Sequence, residues 1–497
     1  MTVARKLDYY LLTVLLLTAW GFVLRIYALG DQSLWNDEAS SIGAAMAMLD
    51  HGIPLLPSGE VYSRAILNTG MIALSLNLFG DTEFAARLPS VLFGTLTIPL
   101  VFIFARKVTN DKAALIAAAV TAFLMIEIGW SRQARMYQEF QFFYILSLYL
   151  FCRSAQTERK RDLALAMLAT ICAILTHRFG LSLVLIFLIY AFVNNEWDIR
   201  RTLTREFLFS RNAVLCVVCV AAVLALLEGG VGAISSLWDE TGVDFNLHFY
   251  LGYLIDVIPV ILGLVLLGAI VLLRRDRQGS LLLLLSVIVP LYLLSFHLGM
   301  RGDRYVYFLL PGVFILFSFA VVWLAELLPR LRGSRMPGIA LAVAIMGLVL
   351  YSSSFVFAPQ RHYYHFDTTI QQPDFKGAYA FVEENRTGDD DIVIDAWPVV
   401  GVLYLSTSPD YCLLSKYVDV NGDELEDKFT GVPYIQGLGM LEGIVEENEA
   451  GWLVVDTYGW EKLSADTADF ITQELTWYRD GSFEGEQGDV MIYGWKR

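Results

Sequence analysis

Cysteine, histidine and lysine are all scarce in this chain, and each scarcity removes a class of function. Of five cysteines in 497 residues, Cys412 stands alone in the last 139 residues, so no disulfide framework staples that region. Cys216 and Cys219 form a C-x-x-C inside an apolar stretch, where small side chains serve packing better than redox chemistry or zinc. The six histidines are scattered. His362 and His365 fall at helical spacing, but within "RHYYHF", which reads as an aromatic interface belt rather than a metal site. No nucleotide-binding glycine loop is found, no basic nucleic-acid patch and no convincing internal repeat.

Apolar residues are what the chain has in excess. They make up 56% of it, with mean hydropathy +0.53, far above an ordinary soluble protein. Runs long enough to cross hydrocarbon recur from Tyr9 to about Phe357. The character then changes: residues 359–497 carry 27 acidic against 9 basic residues, net −18, whereas the preceding part is net +3. Residues 1–358 therefore read as a membrane body and 359–497 as an acidic water-soluble domain. The acidity, together with 27 Arg against 9 Lys in the whole chain, would suit a halophile.

Spans are expected near 9–29, 84–105, 112–130, 136–152, 163–177, 179–194, 212–228, 249–273, 279–297, 305–328 and 337–357. Basic clusters fall in alternate gaps, among them Arg106/Lys107, Arg159–Arg161, Arg200/Arg201 and Arg274/Arg275. The positive-inside rule puts these in the cytoplasm. About eleven transmembrane helices then leave the N-terminus inside and the acidic domain outside. The first span lacks a signal-type cleavage site and is expected to be retained. The first outer gap, 30–83, is too long for a turn. Within it, Ser63–Gly80 is apolar but studded with polar residues, as a helix lying in the interface would be. The acidic domain reads as α/β. "PDFKGAYAFVEEN" and "SADTADFITQEL" have helical pattern; "DIVIDA", "GWLVVDTYG" and "GDVMIYGWKR" have strand pattern.

Ionisable groups at membrane depth are costly and usually functional. Here Glu127, Arg132, Arg135, His177, Arg178, Asp256, Arg301, Asp303 and Arg304 crowd the outer ends of spans, and the paired acids Asp37 and Glu38 sit in the first outer loop. Several guanidinium groups converging there suit a phosphate. An acid beside them suits a reaction in which phosphate leaves while the acid takes a proton from the attacking hydroxyl.

"LRIYALGDQSLWNDEA", "GDTEFAARLPSVLFG", "WSRQARMYQEF" and "THRFGL" resemble the C-type (GT-C fold) membrane glycosyltransferases, in the branch of protein O-mannosyltransferases and aminoarabinose transferases. The resemblance is densest over Leu24–Gly180. It implies eleven to thirteen spans and transfer of a sugar from a polyprenyl phosphate to an acceptor on the outer side. It implies that Asp37 is the general base, with Glu38 orienting the acceptor or holding an Arg, and that the reaction inverts the anomeric centre. Arg135 and Tyr137 match the family's phosphate-binding Arg and Tyr, with Arg132 one turn away. Arg64 stands where relatives carry a Lys, and His177/Arg178 where they carry a Lys or a His–Tyr pair. Arg301, Arg304 and Tyr305 would face the same cavity. Each has a blander reading: Asp37 and Glu38 as helix-start acids, Arg64 and Arg132 as headgroup anchors, Asp303 as a counter-ion, Trp35 as part of an interfacial belt.

The expected partners are a polyprenyl-phosphate-linked sugar, a glycan, lipid or protein acceptor and membrane lipids, with no nucleic acid. No cofactor is expected, although the paired acids could hold a divalent ion against the carrier phosphate. A secondary transporter with an external sensor domain is the alternative. Transporter sites usually lie near the midplane on broken helices, whereas these charges lie at one edge.

Overall fold

The computed structural model describes residues 2–157, 159–194, 246–257, 261–275, 277–296, 301–332, 336–363 and 373–496, except 387, 389–390, 416, 422–423 and 480–489. The span expected at 212–228 with its C-x-x-C, the Arg200/Arg201 cluster and His365 lie outside the described residues.

Among the described residues, four helices are long and apolar enough to cross a membrane: Tyr9–Ile26, Glu83–Val108, Gln278–Phe296 and Tyr307–Leu327. A fifth crossing results if Leu247–Val257 and Leu262–Arg275, bent by 95°, form one broken span. In chain order the body contains α1 (Thr2–Ile26), α2 (Asn36–His51), α3 (Ile66–Phe79), α4 (Glu83–Val108), α5 (Asp111–Phe123), α6 (Met125–Ser131), α7 (Tyr137–Thr157), α8 (Lys160–Thr176) and α9 (Leu181–Asn194). Then follow α10 (Leu247–Val257), α11 (Ile261–Arg275), α12 (Arg277–Phe296), α13 (Leu310–Arg332) and α14 (Met336–Ser352).

The stretch expected as one span over 112–130 is broken. Leu124 is extended (φ −69°, ψ 131°) between α5 and α6. Non-helical backbone at membrane depth persists only where protein satisfies it. Here the chain leaving α14 does so. Met125 N–H donates to Ser354 O at 2.7 Å and Val356 N–H to Phe123 O at 2.8 Å, and Leu124 and Phe355 form an antiparallel bridge.

Helix α3 is the element expected to lie in the interface, and its polarity is inside-out. Leu74, Leu78 and Phe79 are exposed, while Asn68, Thr69 and Ser75 are buried. Asn68 donates to Glu139 Oε1 and Ser75 to Ala85 O. A helix lined by hydrocarbon on one side and polar protein on the other needs this arrangement. Trp35 departs from the belt reading. It is buried among the body's core side chains, and its indole N–H donates to Gln133 Oε1.

The C-terminal part has α15 (Phe375–Asn385), β1 (Ile392–Asp395), α16 (Pro398–Tyr404), β2 (Tyr411–Cys412), β3 (Val418–Asn421), β4 (Glu424–Asp427) and α17 (Leu438–Glu447). It continues with β5 (Ala450–Asp456), α18 (Thr457–Trp460), α19 (Ala465–Glu474), β6 (Thr476–Arg479) and β7 (Val490–Lys496). Five strands form a mixed sheet in the order β2-β1-β5-β7-β6. The contacts of β1 are parallel and those of β7 antiparallel. The three strands and two helices expected from pattern are all present, and Ser464 caps α19 by accepting from Thr467 N. The β3–β4 hairpin and the short β2 and β6 had no pattern long enough to announce them.

Asp395 ends β1 inside this domain. Burial pushes its carboxyl up to about 7, against the opposing hydrogen bonds from Tyr379 OH and Trp397 N–H. The folded form thus keeps a proton that the unfolded chain releases near pH 4. This contribution is complete below that pH and is lost as pH rises towards 7. Amide exchange in β1 and β5 of the full-length protein, corrected for intrinsic rates, should report opening free energies lower at pH 7.5 than at pH 5, by on the order of 3 kcal/mol. Asp395→Asn should flatten that slope, and an unchanged slope would remove Asp395 as its source.

Candidate active site

Helix α2 separates the two acids. Adjacent residues lie about 100° apart around a helix, so Asp37 and Glu38 cannot face the same point. The preceding Trp35 offers α2 no side-chain cap.

Glu38 points inward and is fully buried. Arg87, one turn into α4, meets it with two N–H bonds, Nε to Oε1 at 2.9 Å and Nη2 to Oε2 at 2.8 Å. The remaining Arg87 donors go to Leu29 O, Gln32 O and Ser33 O. Glu38 Oε1 also accepts from Ala134 N–H at 2.7 Å. Both carboxylate oxygens of Glu38 are therefore committed, and the paired acids do not converge on a shared ion. Among the described residues, no three His, Cys, Asp or Glu side chains gather as metal ligands would.

Asp37 faces the other way, towards the partly exposed rim of this side-chain cluster. Its Oδ2 lies 3.0 Å from Arg304 Nη1 and 3.3 Å from Arg135 Nη2. The bond of Glu38 to Ala134 sets this register, because it places the next residue, Arg135, beside the preceding acid. Arg135 Nη1 is also shared among Asp37 O at 2.8 Å, Ser41 Oγ at 2.6 Å and Tyr62 OH at 3.1 Å. Ser41 is one helical turn from Asp37 and shares its face. Tyr137 lies under Arg135, its ring centroid 5.9 Å from the guanidinium, and the Tyr305 ring lies 5.5 Å from that of Arg304. His177 stacks between Phe140 and Phe179, 5.9 Å from Tyr137 and 6.4 Å from Tyr305. Its Nδ1 accepts from Phe179 N–H, which leaves Nε2 as the N–H of a neutral ring. The Nε–H groups of Arg135 and Arg304 are buried with no acceptor among the described residues.

The structure thus gathers Asp37, Arg135, Arg304, Tyr137, Tyr305 and His177. Other residues singled out in the sequence sit elsewhere. Arg132 is buried and spends its terminal nitrogens on the carbonyls of Arg25, Tyr27, Ala28 and Arg361; its Nε is also without an acceptor. It ties the exit of α1 to the segment after α14. Arg64 is exposed and has no ion pair among the described residues. Arg178 is exposed, and Arg301 is exposed with its guanidinium 5.4 Å from the Phe249 ring. Sequence reasoning missed Ser41, Tyr62 and Arg87. The i, i+4 spacing of Asp37 with Ser41 and of Glu83 with Arg87 was available as a signal. For Tyr62, in an irregular loop, there was none.

Residues 63–225 match the model of the dolichyl-phosphate-mannose-protein mannosyltransferase family. The match includes Arg87 and Arg135 and begins after Asp37 and Glu38. An uncharacterized protein of Aquifex aeolicus (strain VF5) is 30% identical over 159 residues, spanning 31% of this chain and about a third (32%) of that relative. Among solved structures, ArnT from Cupriavidus metallidurans in the apo state superposes with TM-score 0.61 at 13% identity, over 99% of this chain and 98% of that one. The same protein bound to undecaprenyl phosphate gives 0.59 at 14%, with the same coverage. The Archaeoglobus fulgidus oligosaccharyltransferase in complex with Zn and sulfate gives 0.53 at 13%, over 78% of this chain and 60% of that one. The chain has the ArnT-like fold, and residues 63–225 carry the mannosyltransferase family pattern. Both agree with the resemblance drawn from the sequence.

Removing one partner of a buried ion pair strands the other, at a cost of about 3–5 kcal/mol. Glu38→Gln should therefore lower the unfolding temperature in detergent well below that of Asp37→Asn, and Glu38→Gln/Arg87→Met should recover part of the loss. Equal melting of the two single variants would show that the Glu38–Arg87 pair does not hold the loop.

Proposed function

We propose that the protein is an inverting membrane glycosyltransferase that moves a sugar from a polyprenyl phosphate to an acceptor hydroxyl on the outer side of the membrane. The observation that carries this reading is the convergence of Arg135 and Arg304 on Asp37 at the rim, with neither Nε–H donor meeting an acceptor among the described residues. The family segment at 63–225 and the fold shared with ArnT support it. In this reading the chain makes about eleven crossings, with its N-terminus in the cytoplasm and residues 359–497 outside.

The chemistry follows from the placement of charge. The acceptor oxygen attacks the anomeric carbon while the bond from that carbon to the phosphate oxygen breaks. The hydroxyl proton passes to the Asp37 carboxylate, as general-base catalysis requires. The lipid phosphate leaves with an additional negative charge, which Arg135 and Arg304 receive through charge-assisted hydrogen bonds. Tyr62 and Tyr137 line the same guanidinium groups and offer hydroxyls to the phosphate or the sugar. One base opposite one leaving group gives a single displacement, hence inversion. Glu38 takes no part in proton transfer; it fixes the helix that carries the base.

Asp37→Asn should melt like wild type and lose sugar transfer from a panel of polyprenyl-phosphate sugars by about a hundredfold or more. Arg304→Ala should raise the concentration of lipid donor needed for half-maximal rate with little change in melting. Near-normal turnover in Asp37→Asn would return the acid to a structural role, and an unaltered donor response in Arg304→Ala would separate that guanidinium from the phosphate.

A further inference from the structure

The acidic domain does not merely follow the membrane body; it grips the loop that leads into the helix carrying the base. Tyr404, at the end of α16, accepts a hydrogen bond from Leu34 N–H at 2.9 Å and donates to Glu83 Oε1 at 3.2 Å. Lys376 Nζ pairs with the same Glu83 oxygen at 2.7 Å. Lys376 N–H donates to Ser33 Oγ and Tyr363 N–H to Gln32 Oε1. Ala39, two residues beyond Asp37, belongs to the domain's own buried cluster with Phe375, Tyr379 and Val400. In return, Leu403 and Tyr404 pack on the body's cluster around Leu34, Ile42 and Ala85.

Two clamps thus hold residues 29–38, and both are rooted in the first turns of α4. Arg87 grips the segment from inside, through three of its carbonyls and Glu38. Glu83, one turn earlier, reaches outward to Tyr404 and Lys376. Asp37 lies within this segment, one residue before the Glu38 that Arg87 holds, with its Oδ2 between two guanidinium groups. The outer clamp therefore bears on where that oxygen sits. A shift of about 1 Å in a catalytic group can cost a hundredfold in rate.

We propose that Tyr404 and Lys376 are positioning residues, and that the outer domain serves catalysis by holding the base-bearing loop in register with Arg135 and Arg304. This inference rests on the glycosyl-transfer reading for what Asp37 does, but not for what holds it.

The test uses the full-length protein carrying Tyr404→Phe, which keeps the ring and removes the hydroxyl, with Lys376→Met as a second variant and Trp477→Phe, exposed on β6, as control. Without ligand, amide exchange over residues 29–38 should rise about tenfold in both variants and not in the control, with little change in melting temperature. With dolichyl-phosphate mannose as donor, kcat should fall about tenfold while KM stays within twofold. Asp37→Asn/Tyr404→Phe should be no slower than Asp37→Asn alone, because a positioning residue has nothing to act on once the base is gone. Unchanged exchange over 29–38 overturns the clamp. Loosened exchange with undiminished kcat, or multiplicative losses in the double variant, overturns the positioning role. A wild type that transfers sugar from no polyprenyl phosphate overturns the glycosyl-transfer reading instead, and the exchange measurement still decides whether the domain holds the loop.

Discussion

The buried pair of Glu38 and Arg87 is the interaction on which the rest of the site depends. Taking two such charges out of water is expensive, and it succeeds only when every remaining donor and acceptor is met. Here all five Arg87 N–H groups have partners: two contacts to the carboxylate and three to backbone carbonyls. One guanidinium thereby joins the exit of α1, the start of α2 and the first turns of α4, and Glu38 extends the junction to the loop before α7. The two adjacent acids have different tasks because a helix turns them apart. The inner acid fixes the register, and the outer one is left facing two arginines at the rim.

Buried arginine recurs as a device for closing irregular backbone. Arg25 donates to Gly21 O, Ala122 O and Thr121 O and to Ser131 Oγ, next to the break between α5 and α6. Arg132 spends itself on four carbonyls. A planar fork with five donors suits such work better than a lysine ammonium would, and the chain's 27 Arg against 9 Lys fit that use. Arg135 and Arg304 differ in being turned onto the half-buried carboxylate of Asp37. Charge near the expected span ends could not separate arginines that close backbone from arginines that are turned onto a carboxylate.

The legible features were those written in local pattern. Apolar runs marked helices, the acidic shift coincides with the region that holds the C-terminal mixed sheet, and period and capping marked β1, β5, β7, α15 and α19. Asp37, Arg135 and Arg304 stood out as acids and guanidiniums near predicted loop ends. What stayed hidden depends on contacts between distant segments. Arg87 reads as an ordinary charge in a helix until Glu38 is seen beside it. Tyr62 lies in a loop with no period. Trp35 follows a polar stretch near a span end, where an interfacial belt is the natural reading; its indole finds Gln133 only after α2 folds against the loop before α7. Tyr404 and Lys376 sit in a domain that sequence reading treated as self-contained, and neither an apolar period nor a charge count shows that Ala39 completes that domain's core.

The break at Leu124 says something about how such a chain is put together. The carbonyl of Phe123 and the amide of Met125 are paired by Val356 and Ser354, which are synthesised more than two hundred residues later. The open backbone between α5 and α6 lacks these partners until α14, the last helix of the body, and the segment leaving it have been made. The break between α5 and α6 therefore cannot reach its final form in order of synthesis. The seam joins an early helix break to the segment leaving α14, shortly before the chain enters the C-terminal domain.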